Sequence, residues 1–127
     1  MDTPVFQVPD DWGTVLVSGT EIVPSSTYEI FAECGVYTSA PGWDTTALWG
    51  DVVGTFSGGA WTPPNGIIDF DDIAATVEAF KGLPTAPPLF WVDMFPCAPN
   101  GIIDFNDIYT VVDAFRGLPY PCPAPCP

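Results

Sequence analysis

The stretch Asn65-Gly66-Ile67-Ile68-Asp69-Phe70-Asp71-Asp72-Ile73 returns almost unchanged as Asn100-Gly101-Ile102-Ile103-Asp104-Phe105-Asn106-Asp107-Ile108. Further along, Ala79-Phe80-Lys81-Gly82-Leu83-Pro84 returns as Ala114-Phe115-Arg116-Gly117-Leu118-Pro119, with the same offset of 35 residues (65 to 100, 79 to 114). A repeated unit of this size is one supersecondary element that cannot bury its apolar side alone, so two copies predict a pseudo-symmetric pair. Each copy reads as a loop followed by a short helix. Asp72 or Asp107 falls in the first turn, apolar residues follow at helical spacing (Ile73, Val77, Phe80; Ile108, Val112, Phe115), and Gly82 or Gly117 ends the helix ahead of a proline. Lys81 and Arg116, the chain's two basic residues, fall in the last turn, where a cation complements the helix dipole.

The charge balance narrows the function. Sixteen acidic residues against two basic ones give a net charge of −14, which leaves no basic surface for phosphates and predicts neither nucleic acid nor membrane insertion. With no histidine, Ser-His and Cys-His nucleophilic schemes are excluded. A glycosidase built on carboxylates such as Asp69 and Asp72 has little cleft in 127 residues, so no enzyme is expected. Clustered carboxylates instead invite a multivalent cation, calcium first.

The repeat can be laid on the calcium loop of an EF-hand, which has an oxygen ligand at position 5, glycine at 6 and a closing carboxylate at 12. Asn65 and Asn100 then take position 5, and Gly66 and Gly101 make the sharp turn that a residue without Cβ makes most readily. The carbonyls of Ile67 and Ile102 fall at position 7, Asp69 and Asp104 at 9, and Asp72 and Asp107 at 12. Positions 1 and 3 fall on Trp61 and Pro63, or Pro96 and Ala98, none with a side-chain oxygen. Asp51 and Asp93, each two residues after a tryptophan, are the replacements, with the carbonyls of Val53 and Phe95 for position 3 and an insertion looped out behind. Two calcium ions are therefore expected. The other reading of Asn-Gly-Ile-Ile-Asp-Phe is a hairpin or β-turn. Asp71, Asp113 and Glu78 are expected on solvated helix faces.

The duplicated loop–helix unit with aspartate at position 12 resembles dockerin-type calcium-binding repeats of secreted bacterial proteins, over about residues 49–119. The resemblance implies a compact helical pair holding two calcium ions, extracellular, non-catalytic and engaged in protein–protein attachment, with a cohesin-like partner. Upstream, Thr14–Val17 and Tyr28–Ala32 read as strands, Pro24-Ser25-Ser26 as a turn, and Ala40-Pro41-Gly42 as a break before a strand from Thr45 to Leu48. Tyr28-Glu29-Ile30-Phe31-Ala32 resembles the last strands of a fibronectin type III domain.

The expected fold is α+β: a partial Ig/FnIII-like β-sandwich over 1–48, a dockerin-like module over 49–119 with repeats 49–84 and 91–119, and a Pro/Cys-rich tail over 120–127. Half a sandwich leaves open strand edges, and Val5-Phe6-Gln7-Val8, isolated between prolines, reads either as an edge strand of its own chain or as a strand pairing with another copy, which would build a filament. Cys34, Cys97, Cys122 and Cys126 point to disulfides in an oxidising, extracellular or cell-surface setting, with Cys97 paired to Cys122 or Cys126. The expected function is a non-catalytic structural module that assembles with itself. The alternatives are attachment to a cohesin-like protein and, on the strength of its tryptophans, carbohydrate binding.

Overall fold

A computed structural model of the chain describes residues 22–123; the strand readings at Val5–Val8 and Thr14–Val17, and Cys126, lie outside them. The order of elements is β1 (Thr27–Ile30), β2 (Glu33–Cys34), β3 (Tyr37–Thr38), β4 (Gly42–Thr45), β5 (Phe56–Ser57), β6 (Ala60–Trp61), α1 (Phe70–Lys81), α2 (Leu89–Val92) and α3 (Phe105–Phe115). The fold is α+β, and the three sheets among the described residues are two-stranded antiparallel pairs, β1 with β4, β2 with β3 and β5 with β6.

The helices begin as the repeat predicts. Asp69 is the N-cap of α1 and Asp104 that of α3, and in each a capping box is closed by the aspartate at the third helical position, Asp72 or Asp107. Both helices also end alike. Gly82 and Leu83 donate their amides to the carbonyls of Ala79 and Glu78, and Gly117 and Leu118 donate theirs to Ala114 and Asp113. These are paired bonds of the Schellman type. Lys81 sits in the last turn of α1, while Arg116 lies just beyond α3 and reaches back to Asp113 at 3.7 Å.

The pseudo-twofold relation of the repeats shows in their rings. Phe70 at the start of α1 meets Phe115 at the end of α3 at 5.0 Å, and Phe80 meets Phe105 at 4.9 Å, both tilted by 44°. Each contact is the other with the repeats exchanged, as an antiparallel pair of like helices requires. The core between them is small and made of short side chains: Val52, Val53, Ala75, Val92 and Val111 are buried, with Trp61, Ile73, Trp91 and Met94 packed around them. The stripe read from sequence is therefore displaced. Ile73, Val77, Ile108 and Val112 are half-buried and Phe80 and Phe115 are exposed, because the deepest line runs through Asp72, Ala75 and Thr76 on α1 and Asp107, Val111 and Ala114 on α3.

Close approach explains one glycine. Gly50 has φ +93°, and a Cβ placed there would collide with the Cβ of Ala114, so the chain entering the first repeat lies directly on the helix of the second. A disulfide joins Cys97 to Cys122 and ties the chain after α3 to the loop before it; Cys34 is free and exposed.

Upstream of the helices, β1 and β4 pair from Thr27 opposite Thr45 to Ile30 opposite Gly42. Ser39 and Ala32 bond across the gap to β2 and β3, whose tip turns at Gly35, so residues 27–45 make one two-stranded ribbon. The strand expected at Thr45–Leu48 lies earlier, at Gly42–Thr45, because Gly42 continues the ladder instead of breaking it. Thr46 ties the ribbon's base to the segment before it, accepting from the Ser26 amide and donating to the Val23 carbonyl. Beyond that anchor no further strand among the described residues pairs with the ribbon. Ile30, Phe31, Val36, Tyr37 and Trp43 are each at least 51% exposed.

Candidate functional site: paired buried aspartates

Among the described residues four aspartates are buried: Asp51 and Asp72 in the first repeat, Asp93 and Asp107 in the second. The chain reaches Asp51 just ahead of Val52-Val53, and passes through Val92 to Asp93, so the most apolar segments carry the carboxylates inward. Burying a carboxylate without partners is prohibitive, and its oxygens must find donors.

The donors are backbone amides. One oxygen of Asp72 accepts from the amides of Val52 at 2.8 Å and Val53 at 3.0 Å, and the other accepts from Asp69 at 2.8 Å. Asp51 accepts from the amides of Asn65 at 3.2 Å and Gly66 at 2.6 Å. The second repeat is built alike. Asp107 accepts from Met94 at 2.7 Å, Phe95 at 2.9 Å and Asp104 at 2.9 Å, and Asp93 accepts from Asn100 at 3.4 Å and Gly101 at 2.6 Å. In each repeat the two carboxylates thus cross-brace two strands of chain. The upstream aspartate holds the Asn-Gly turn, and the helical aspartate holds the residues just after the upstream one.

The remaining candidates have local roles. The Asn65 side-chain oxygen accepts from the Ile67 amide at 3.0 Å and that of Asn100 from Ile102 at 2.9 Å, closing turns in which both isoleucine side chains stand exposed. Asp69 and Asp104 accept from the amides of Asp71 and Asn106 as N-caps. Val53 and Phe95, read as carbonyl ligands, appear here as amide donors to Asp72 and Asp107. Glu78 does more than face solvent, since it accepts from the Trp61 indole at 2.9 Å and the Thr85 hydroxyl at 3.0 Å.

Electrostatically, burial pushes the Asp72 carboxyl above its ordinary value of 3.8 and the nearby Asp51 charge adds to this, while the three amides pull the other way. No cationic side chain helps: among the described residues the ion pair is Arg116 with Asp113, on the surface. The helix N-termini supply partial positive charge beside Asp72 and Asp107.

Tested against calcium, the donor chemistry suits and the arrangement does not. All candidate side chains offer oxygen, as calcium requires. Yet the oxygens of the buried aspartates face amide hydrogens, five per repeat, whose positive ends would point at an entering cation. Among the described residues no three acidic or thiol side chains converge. The Asp-x-x-Asp spacing that marks positions 9 and 12 of a calcium loop is equally the N-cap and third residue of a capping box, and here it is used as the second.

A cleft of about 190 Å³ lies between residues 46–52 and α2, with Trp49, Trp91, Asp51 and Asp93 in its walls. Trp49 also meets Tyr120 edge-on at 6.0 Å.

The comparisons with known families, curated proteins and solved structures find no match to this chain.

Proposed function

We propose that this chain is a non-catalytic structural module for protein–protein assembly, working in an oxidising, extracellular setting. The observation that carries this is the ribbon of residues 27–45. Among the described residues no further strand pairs with its edges, and it exposes large apolar residues along its length, while a two-stranded ribbon by itself is at best marginally stable in water. Such an element gains from pairing with further chain, and strands from a second copy would build a polymer. The Cys97–Cys122 disulfide supports the oxidising setting.

The same reading takes the helical half as a duplicated, dockerin-like unit and the ribbon as what remains of an Ig/FnIII-like sheet. The exchange symmetry of the Phe70–Phe115 and Phe80–Phe105 contacts supports the duplication. The module is non-catalytic in this reading because the carboxylates available as acid and base are bound to amides, and the 190 Å³ cleft is below the usual size of a ligand site.

A second reading has its own observation. Ile67 and Ile102, Phe70 and Phe105, and Leu83 and Leu118 are exposed in matching pairs on the two repeats, which suits attachment to another protein through the helices. Light scattering on the full chain separates the two. Large particles that disappear in Ile30→Lys/Trp43→Lys support self-assembly through the ribbon, and a monomer at all concentrations supports attachment.

A further inference from the structure

We infer that the buried aspartates do the work of the cation in these loops: each repeat is closed by a carboxylate–amide latch, and the module folds without calcium. In a calcium loop the ion gathers oxygens from distant points of the chain and so closes the loop. Here the closure is already made. Asp51 spans 14 residues to the Asn65 amide and Asp93 spans 7 to the Asn100 amide, and both reach the same Asn-Gly turn. Asp72 and Asp107 complete the brace by holding the residues directly after Asp51 and Asp93.

The electrostatic balance agrees. Two carboxylates per repeat meet five amide donors, and charge-assisted bonds of this kind are the strong class of hydrogen bond. The helix N-terminus beside Asp72 or Asp107 adds to the same sign of field. A cation would find only the lone pairs that the amides leave free, and would approach them against the field of those amides. The same logic explains how the two loops carry insertions of different length: a latch fixes the ends and leaves the intervening chain free to vary.

The test is a circular-dichroism melt of the full, oxidised chain in excess EGTA, in about 5 mM calcium, which exceeds the dissociation constants of weak extracellular calcium modules, and in equal magnesium. The expected result is full helical signal in EGTA and a midpoint moving by no more than about 2 °C with calcium. A rise shared equally by magnesium is screening of the net charge and upholds the inference. Loss of helix in EGTA, or a rise of more than about 2 °C with calcium alone, overturns it.

Asp51→Asn and Asp93→Asn keep one acceptor oxygen and serve as the second arm. Each is expected to lower the midpoint equally in EGTA and in calcium. A loss seen only in calcium would make the aspartates ligands and overturn the inference. The particle size that tests assembly is read separately, so either conclusion can fail alone.

Discussion

The two repeats reach one geometry by different routes. In the first, residues between Asp51 and Asn65 fold into the β5–β6 hairpin, turned at Gly58-Gly59, and the Trp61 indole it presents is held by Glu78 on α1. In the second, the shorter span from Asp93 to Asn100 contains Cys97, tethered to Cys122 after α3. Despite this, the amide bonds of Asp51 and Asp93, and of Asp72 and Asp107, correspond one for one. What differs is therefore accessory, and what is shared sets the geometry.

The largest effects should come from the shared part. Asp72→Ala or Asp107→Ala strands three amides, two of them buried in the first repeat and the rest part-buried, and a buried amide left unpaired costs about 1–3 kcal/mol, so a loss of about 3 kcal/mol is expected in the first repeat and somewhat less in the second by urea denaturation. If one substitution is tolerated and its counterpart is not, the equivalence of the repeats is broken. Next comes the tether of the second repeat alone. Replacing Cys97 and Cys122 by serine opens a link across 25 residues, with an expected loss of about 3 kcal/mol. Hydrogen exchange should then show the amides of Phe95 to Ile102 losing protection first, while those of Asn65 and Gly66 keep theirs.

A smaller asymmetry lies at Gly50. Ala at this position would force a Cβ into Ala114 at a backbone angle of +93°, so about 2 kcal/mol should be lost. The double variant Gly50→Ala/Ala114→Gly should recover part of it, since the collision is with that methyl. Recovery of nothing would place the cost in the backbone angle alone.

How much of this was legible in the sequence follows from the kind of signal each element sends. The repeat announced the helices, their glycine ends and their pseudo-symmetric pairing, because those depend on local spacing and on the need to bury one side. The repeat pointed to Asp72 and Asp107, and the tryptophans to Asp51 and Asp93, all four read as ligands together with Asp69 and Asp104. Their partners were not legible: an aspartate that accepts amides and one that binds a cation are the same residue at the same spacing, and only the direction of the amide hydrogens separates them. The hairpin at Phe56–Trp61 has its sequence signal in Gly58-Gly59, a turn pair between two short apolar stretches. The single turn of α2 is too short for any period to show. The strand at Gly42–Thr45 was displaced by reading Gly42 as a break, when in a two-stranded ribbon with open faces a glycine costs little packing.

The smallest prediction concerns pH and the first repeat. Burial raises the Asp72 carboxyl above 3.8, with the Asp51 charge adding to it, so the folded chain takes up this proton at a higher pH than the unfolded chain does. Between those two values the folded state binds more protons, and by linkage its stability increases as pH falls. The contribution is complete below 3.8 and is lost as pH rises through the folded value. Asp72→Asn has no such proton, so urea midpoints measured across this range should show the difference between wild type and variant widening on acidification, with wild type gaining. The reverse trend would mean that the amides of Val52, Val53 and Asp69 outweigh burial and hold the carboxylate as an anion.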